Sequence, residues 1–201
     1  MKYRAVGFDY GGVLTGMPSI DLSHKIEDLL GLPPGKYEAV YYRYNEKVNL
    51  GQISWSELWE SVLEDLGLKD KYDSLMELFK ANAFGEICLP VLNIVDEIRN
   101  RGLKTGLLSN NTLEVAKRIR QDGLQNHFDV INVSAETGFV KPDIRAFEHF
   151  ARDLQIELPE LIFVDDSRKS LSSAEEVGYT AILYKNADDL RTRLRELGVL
   201  S

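Results

Sequence analysis

The stretch YRAVGFDYGGVL, residues 3–14, decides the fold. Residues 3–8 form a short apolar run of strand character, and Gly11-Gly12 supplies a turn directly after it. Asp9 sits between the two, where the strand runs out. Working outward, the same unit recurs with helices between. Residues 90–100 read as a helix, with Pro90 in the first turn, Val91, Val95 and Ile98 on one face and Gly102 past the end. A second strand follows over 103–108, then a helix over 112–122 capped by Asn111 or Thr112 and closed by Gly123. Strands over 128–133, 161–164 and 180–184 alternate with helices over 144–154, 170–177 and 187–197. Strand–helix alternation with short connections predicts an α/β fold with a doubly wound, Rossmann-like parallel sheet. Right-handed crossovers then gather the C-terminal strand ends on one edge, where such sheets bind ligands.

Residues 16–86 break this rhythm and read as helices without strands. One covers 22–30, ending at Gly31 before Pro33-Pro34. Tyr37, Tyr41, Tyr44 and Val48 mark the stripe of a second. Ser54-x-x-Glu57 is a capping box opening a third, with Trp55, Leu58, Trp59, Val62 and Leu66 inward, and 71–83 is a fourth. The organisation expected is a core of residues 1–15 and 87–201 carrying a helical cap of residues 16–86. Stripe spacing assigns the tyrosines and both tryptophans to packing rather than to a substrate platform. Arg43 lies off the stripe, facing either solvent or an anionic substrate, and His24 is a candidate proton donor.

The bulk numbers exclude several classes. The 201 residues carry a formal charge of -8, with no basic stripe to bind nucleic acid or an anionic membrane. An anionic substrate must therefore be drawn by local features, of which a metal ion is the natural one. Cys88 is the single cysteine, so neither an internal disulfide nor a thiolate zinc set is available. No leader pattern precedes the first strand, and no run approaches the ~20 apolar residues of a membrane span. A cytoplasmic protein, monomer or homodimer, is the expectation.

The strand ends carry the chemistry. The first ends in Asp9, the second in Ser109 followed by Asn110-Asn111, and the fourth in Asp165-Asp166; Lys141-Pro142 lies beyond the third. Carboxylates, a hydroxyl and an ammonium on one crevice suit phosphoryl transfer. Magnesium takes oxygen ligands, often only one or two carboxylates. A carboxylate can attack phosphorus once metal and lysine offset the repulsion between two anions. Backbone N–H groups at Gly11-Gly12 could cradle phosphoryl oxygens.

The strings FDYGGVL (8–14), LLSNN (107–111), FVKPD (139–143) and FVDDS (163–167) resemble, in order and spacing, the four motifs of the haloacid dehalogenase-like superfamily. The helical block resembles that family's cap. The resemblance implies that Asp9 attacks a small phosphorylated metabolite and becomes an aspartyl-phosphate. It implies magnesium on Asp9, the Gly11 carbonyl and Asp166, with Asp165 close by. Ser109 would hydrogen-bond the transferring group, Lys141 would pair with Asp9 and the phosphoryl oxygens, and Gly12 and Val13 would offer N–H groups. Gly11, Gly12, Asn110 and Arg43 are the candidates to contact substrate phosphate.

Position 11 departs from the family pattern. Family phosphatases usually have a second aspartate there, which protonates the leaving group and then activates water. Such a group is worth about 10²–10⁴-fold. Its absence points to activated substrates with good leaving groups, to a proton donor in the cap, or to a weak enzyme that binds a ligand or protein partner. Dehalogenases of the family also lack that aspartate and need no metal. They usually carry threonine at the place of Gly12 and a Ser-Asn pair in place of Asp165-Asp166. An acidic pair beside a carboxylate nucleophile calls for a cation between them.

Overall fold

The structure is a computed structural model describing residues 2–16, 20–81 and 85–201. Five strands, β1 (Ala5–Phe8), β2 (Lys104–Ser109), β3 (Val130–Val133), β4 (Leu161–Asp165) and β5 (Thr180–Leu183), form one sheet in the order β3-β2-β1-β4-β5. Every pairing is parallel. Helices α5 (Leu89–Asn100), α6 (Leu113–Gln121) and α10 (Ala187–Glu196) supply the core on one face; α8 (Ile144–Leu154) and the short α9 (Ala174–Val177) pack on the other. A four-residue helix, α7 (Ser134–Thr137), follows β3. This is the doubly wound sheet that the alternating sequence predicts. No helix among the described residues is long and apolar enough to cross a membrane.

Strand parity explains the two layers. Val6, Phe8, Leu107, Ile162 and Val164 enter one core; Ala5, Leu108, Leu161 and Phe163 enter the other. Successive side chains of a strand point to opposite faces. Gly7 and Gly106 are cross-strand partners. A Cβ on Gly7 would lie 2.6 Å from the Phe150 ring, and one on Gly106 would collide with it outright. Two facing glycines thus make the hollow that the α8 ring fills. Gly106→Ala is expected to cost about 1–3 kcal/mol by overpacking, read as a lower denaturation midpoint at unchanged slope.

The helical segment contains α1 (Ile20–Leu30), α2 (Lys36–Asn49), α3 (Trp55–Leu66) and α4 (Tyr72–Ala81). It has its own apolar cluster, centred on the buried Trp59 with Tyr37, Val40, Leu58, Val62 and Leu75. Trp59 packs on Tyr37, Tyr41, Trp55 and Phe79 at centroid distances of 5.0–6.1 Å. The Ser54/Glu57 capping box is formed. Gly51, at φ 67° between α2 and α3, touches the Ala135 carbonyl of α7 so closely that a Cβ would collide with it.

Several boundaries shift by one or two residues from the sequence expectation, and three departures are worth following. The helix expected over 170–177 is only Ala174–Val177. Ahead of it, Ser167 Oγ accepts from the Ser170 amide and Ser172 Oγ donates to the Lys169 carbonyl. Such local serine bonds compete with helical ones. The third strand starts at Val130, because the Phe128 amide donates to Leu124. The fourth helix starts at Tyr72 after a 3-10 turn, Lys69–Lys71. Its expected end at residues 82–83 lies outside the described residues.

Candidate active site

Asp9 continues the β1 ladder by one bond, its amide donating to the Val164 carbonyl at 2.9 Å. By strand parity, Asp9 follows Gly7 and Asp165 follows Phe163, on the face that α8 covers. Lys141 enters from the lead-in to α8 and reaches both. Its Nζ stands 2.8 Å from Asp9 Oδ1 and 2.6 Å from Asp165 Oδ2. It also lies 5.0 Å from the centre of the Phe163 ring, whose face favours a cation. The Lys141 and Asp165 side chains are 1% and 0% exposed, and Asp9 is 14% exposed. Asp165 Oδ1 accepts the Ser167 amide at 2.8 Å, so both of its oxygens are engaged.

Asp9, Asp165 and Asp166 bring carboxylate oxygens within 4.8 Å of one another. Three carboxylates and one ammonium leave a formal charge of about -2 in a partly buried site, which is unfavourable unless compensated. Burial pushes the Asp165 carboxyl up from its ordinary range, and Asp9 adds to this while Lys141 opposes it. Burial and the Asp9 charge likewise push Asp166 up. A hard divalent cation would remove that conflict, and an all-oxygen donor set of this kind suits magnesium.

The turn after Asp9 is built around Asp166. Gly12 has φ 75°, and a Cβ there would collide with Asp166 Oδ2. Glycine at 12 is therefore what lets the Asp166 carboxylate approach the turn, and a threonine at this place is incompatible with it. Gly11 is different: its φ is not left-handed, and nothing lies within 4 Å of where its Cβ would stand. The turn is tied down by Leu14 and Thr15 amides on the Tyr10 carbonyl and by Thr15 bridging to Gly11 and Ile87.

At the end of β2, Ser109 is buried, and its Oγ accepts from Asn111 Nδ2 at 3.3 Å. Thr112, rather than Asn111, caps α6 through the Val115 amide. Asn110, expected at the phosphate, has its side chain on Lys141 instead: Oδ1 accepts the Lys141 amide and Nδ2 donates to its carbonyl, each at 2.8 Å. Arg43 is not brought to the carboxylates by any contact; it pairs with Asp65 of α3 at 3.5 Å and is 65% exposed. His24 lies exposed on α1. Ser134, absent from the sequence expectations, braces this edge by accepting the Asn111 amide and donating to its carbonyl. Its partner is 23 residues away, so no local pattern announces it.

A carboxyl whose pKa is raised by folding contributes stability below the ordinary carboxylate range and loses it as pH rises through the raised value. Asp165 and Asp166 thus favour the metal-free fold in acid and burden it at neutral pH. Magnesium needs them ionised. Melting curves with magnesium and with EDTA are expected to diverge most near neutrality and to converge by about pH 4, where carboxylates take up protons.

The sequence profile of haloacid dehalogenase-like hydrolases matches residues 3–178. Bifunctional epoxide hydrolase 2 of Sus scrofa is 30% identical over 218 residues, covering 98% of this chain; the chain spans 38% of that relative's length. Phosphatase MT3486 of Mycobacterium tuberculosis is 27% identical, with 95% of this chain and 91% of that protein covered. A haloacid dehalogenase family enzyme from Bacteroides thetaiotaomicron, solved as a magnesium complex, has the same fold. Its TM-score is 0.77 at 19% identity, over 97% of this chain and all of that one.

Proposed function

The chain belongs to the haloacid dehalogenase-like hydrolases, and from that premise we propose that it is a magnesium-dependent phosphatase acting on a small phosphomonoester through an aspartyl-phosphate on Asp9. One observation carries this reading: Lys141 stands between Asp9 and Asp165 while Gly12 makes room for Asp166, leaving a carboxylate cluster that needs a cation. The matched phosphatase relative and the magnesium complex of the structural neighbour support it.

In this reading residues 16–86 are the cap, and Asp9, Asp166 and the Gly11 carbonyl would hold magnesium, with Asp165 close by. Bound magnesium would neutralise charge between carboxylates and phosphoryl oxygens. Lys141 pairs with Asp9 and lends positive charge to the transferring group. Ser109 and the N–H groups of Gly12 and Val13 orient the phosphoryl oxygens. An Asp9 oxygen bonds to phosphorus as the ester oxygen leaves. Water then attacks the aspartyl-phosphate, releasing phosphate and restoring Asp9. With Gly11 in place of an acid/base group, the preferred substrates are those whose leaving group needs less help from an acid: anomeric sugar phosphates, acyl phosphates and similar activated phosphates.

The dehalogenase alternative is disfavoured by the same Gly12–Asp166 contact. A panel of phosphate esters assayed with and without magnesium decides the matter. Magnesium-dependent phosphate release, fastest from activated esters, is expected, together with a magnesium–fluoroberyllate adduct on Asp9. Chloride release from a 2-haloacid, indifferent to EDTA, would overturn the reading. Failure to form the adduct, with no turnover, would leave a ligand-binding member of the family.

A further inference from the structure

We propose that Asn110 is a positioning residue for Lys141, holding the lysine's backbone so that its ammonium stands between Asp9 and Asp165. The inference rests on the phosphatase reading for its catalytic consequence, though not for the contact itself. The Asn110 carboxamide grips both sides of one residue: Oδ1 takes the Lys141 N–H and Nδ2 gives a hydrogen to the Lys141 carbonyl, both at 2.8 Å. This double bond pattern is what a neighbouring strand would supply, delivered here by one side chain from the end of β2 to a residue 31 positions later.

The lysine needs such a hold. A lysine carries a compact charge on a flexible stem of four methylenes, so its tip is placed only if its root is fixed. The tip is held by two carboxylates and the stem is buried over Phe163. The root has little else. The following residue is Pro142, which has no N–H. The nearest backbone bond within that loop is Asp143 to Val140, which spans Lys141 without engaging it. Asn110 therefore links the second and third sequence motifs mechanically, and it does so with the groups that would otherwise be assigned to substrate.

Positioning errors of about 1 Å can cost ~10²-fold in rate. Asn110→Ala is expected to lower kcat by about 10–100-fold with a smaller change in KM, since it displaces a group used in the transition state. Asn110→Asp keeps the acceptor for the Lys141 amide but turns a carboxylate oxygen toward the Lys141 carbonyl, and should lose most of the same rate while retaining the fold. In a Lys141→Ala background either change should cost less than about threefold more, because groups acting as one unit are not additive.

A second readout is independent of activity. Brief acetic anhydride treatment, followed by peptide mass spectrometry, should leave Lys141 unlabelled in the parent protein and label it in Asn110→Ala, with the exposed Lys36 and Lys47 labelled equally in both. If Lys141 stays protected in a folded Asn110→Ala protein, the proposal is wrong. A rise in KM that adds fully to that of Lys141→Ala would also overturn it, in favour of direct phosphate contact. Labelling of Lys141 without loss of rate would uphold the clamp and instead sink the role given to Lys141 in phosphoryl transfer.

Discussion

Asp9→Asn is expected to lower phosphate release by at least about 10³-fold while leaving the metal-free protein no less stable. The loss follows from the chemistry: an amide cannot supply the attacking oxygen, and nucleophile deletions are among the most damaging single changes in an enzyme. The stability half is less obvious, because the change breaks a 2.8 Å ion pair with Lys141. Lys141 keeps Asp165 at 2.6 Å, however, and three clustered carboxylates become two. The Asp9 charge is one of the causes holding Asp165 and Asp166 above their ordinary range, so its removal lets both ionise more readily. Steady-state assays and melting curves in EDTA test the two halves separately. A melting temperature lowered by many degrees would mean that the Asp9–Lys141 pair is structural cement rather than a poised catalytic contact.

Approached from the other side, the same pair behaves differently. Lys141→Met removes the only ammonium that contacts the cluster among the described residues and leaves Asp165, 0% exposed, facing Asp9 without a counter-charge. Stranding a buried charge typically costs 3–5 kcal/mol. That cost should fall at acid pH, where the carboxyls take up protons, and shrink when magnesium is added. One salt bridge thus gives opposite stability signs according to which partner is removed, because the site holds an excess of negative charge that folding alone does not balance.

Much of this site could be read from the chain, and the rest could not, for identifiable reasons. Strand parity and strand ends are local properties, so Asp9, Ser109 and Asp165-Asp166 fall where an alternating apolar run stops. Lys141 has no such local signature; only its motif marks it, and its position is set by α8 covering the face on which Asp9 and Asp165 emerge. The bonds of Asn110 and Ser134 span 31 and 23 residues, and nothing in LLSNN tells which asparagine grips a distant backbone and which faces the serine. Gly12 announces a turn, but not that an Asp166 oxygen occupies the space of its missing Cβ. Arg43 could be placed off the apolar stripe of α2, yet its capture by Asp65 depends on how α2 meets α3.

Gly11→Asp should be the most informative gain of function available in this protein. The backbone already accepts a side chain there: the residue has no left-handed φ, and nothing lies within 4 Å of the position its Cβ would take. The neighbouring Gly12 offers neither freedom, so the effect belongs to position 11 alone. A carboxyl introduced beside Asp9 can protonate a departing alkoxide and then take a proton from the attacking water. Turnover of simple alkyl phosphates should rise by about 10²–10⁴-fold, the usual worth of general acid–base catalysis. Acyl phosphates, whose leaving group needs no proton, should gain little in the first step, so the dependence of rate on leaving-group pKa should flatten. The introduced carboxyl joins a site already rich in like charge, so its pKa should be raised. The acid-assisted step should then decline as pH rises through that value, giving a limb that the parent enzyme lacks. The added charge should also lower the melting temperature in EDTA and increase the stabilisation by magnesium. If alkyl phosphates remain as poor as before while magnesium still binds, the missing proton is supplied from elsewhere, and Gly11 is open for a different purpose, such as room for the substrate itself.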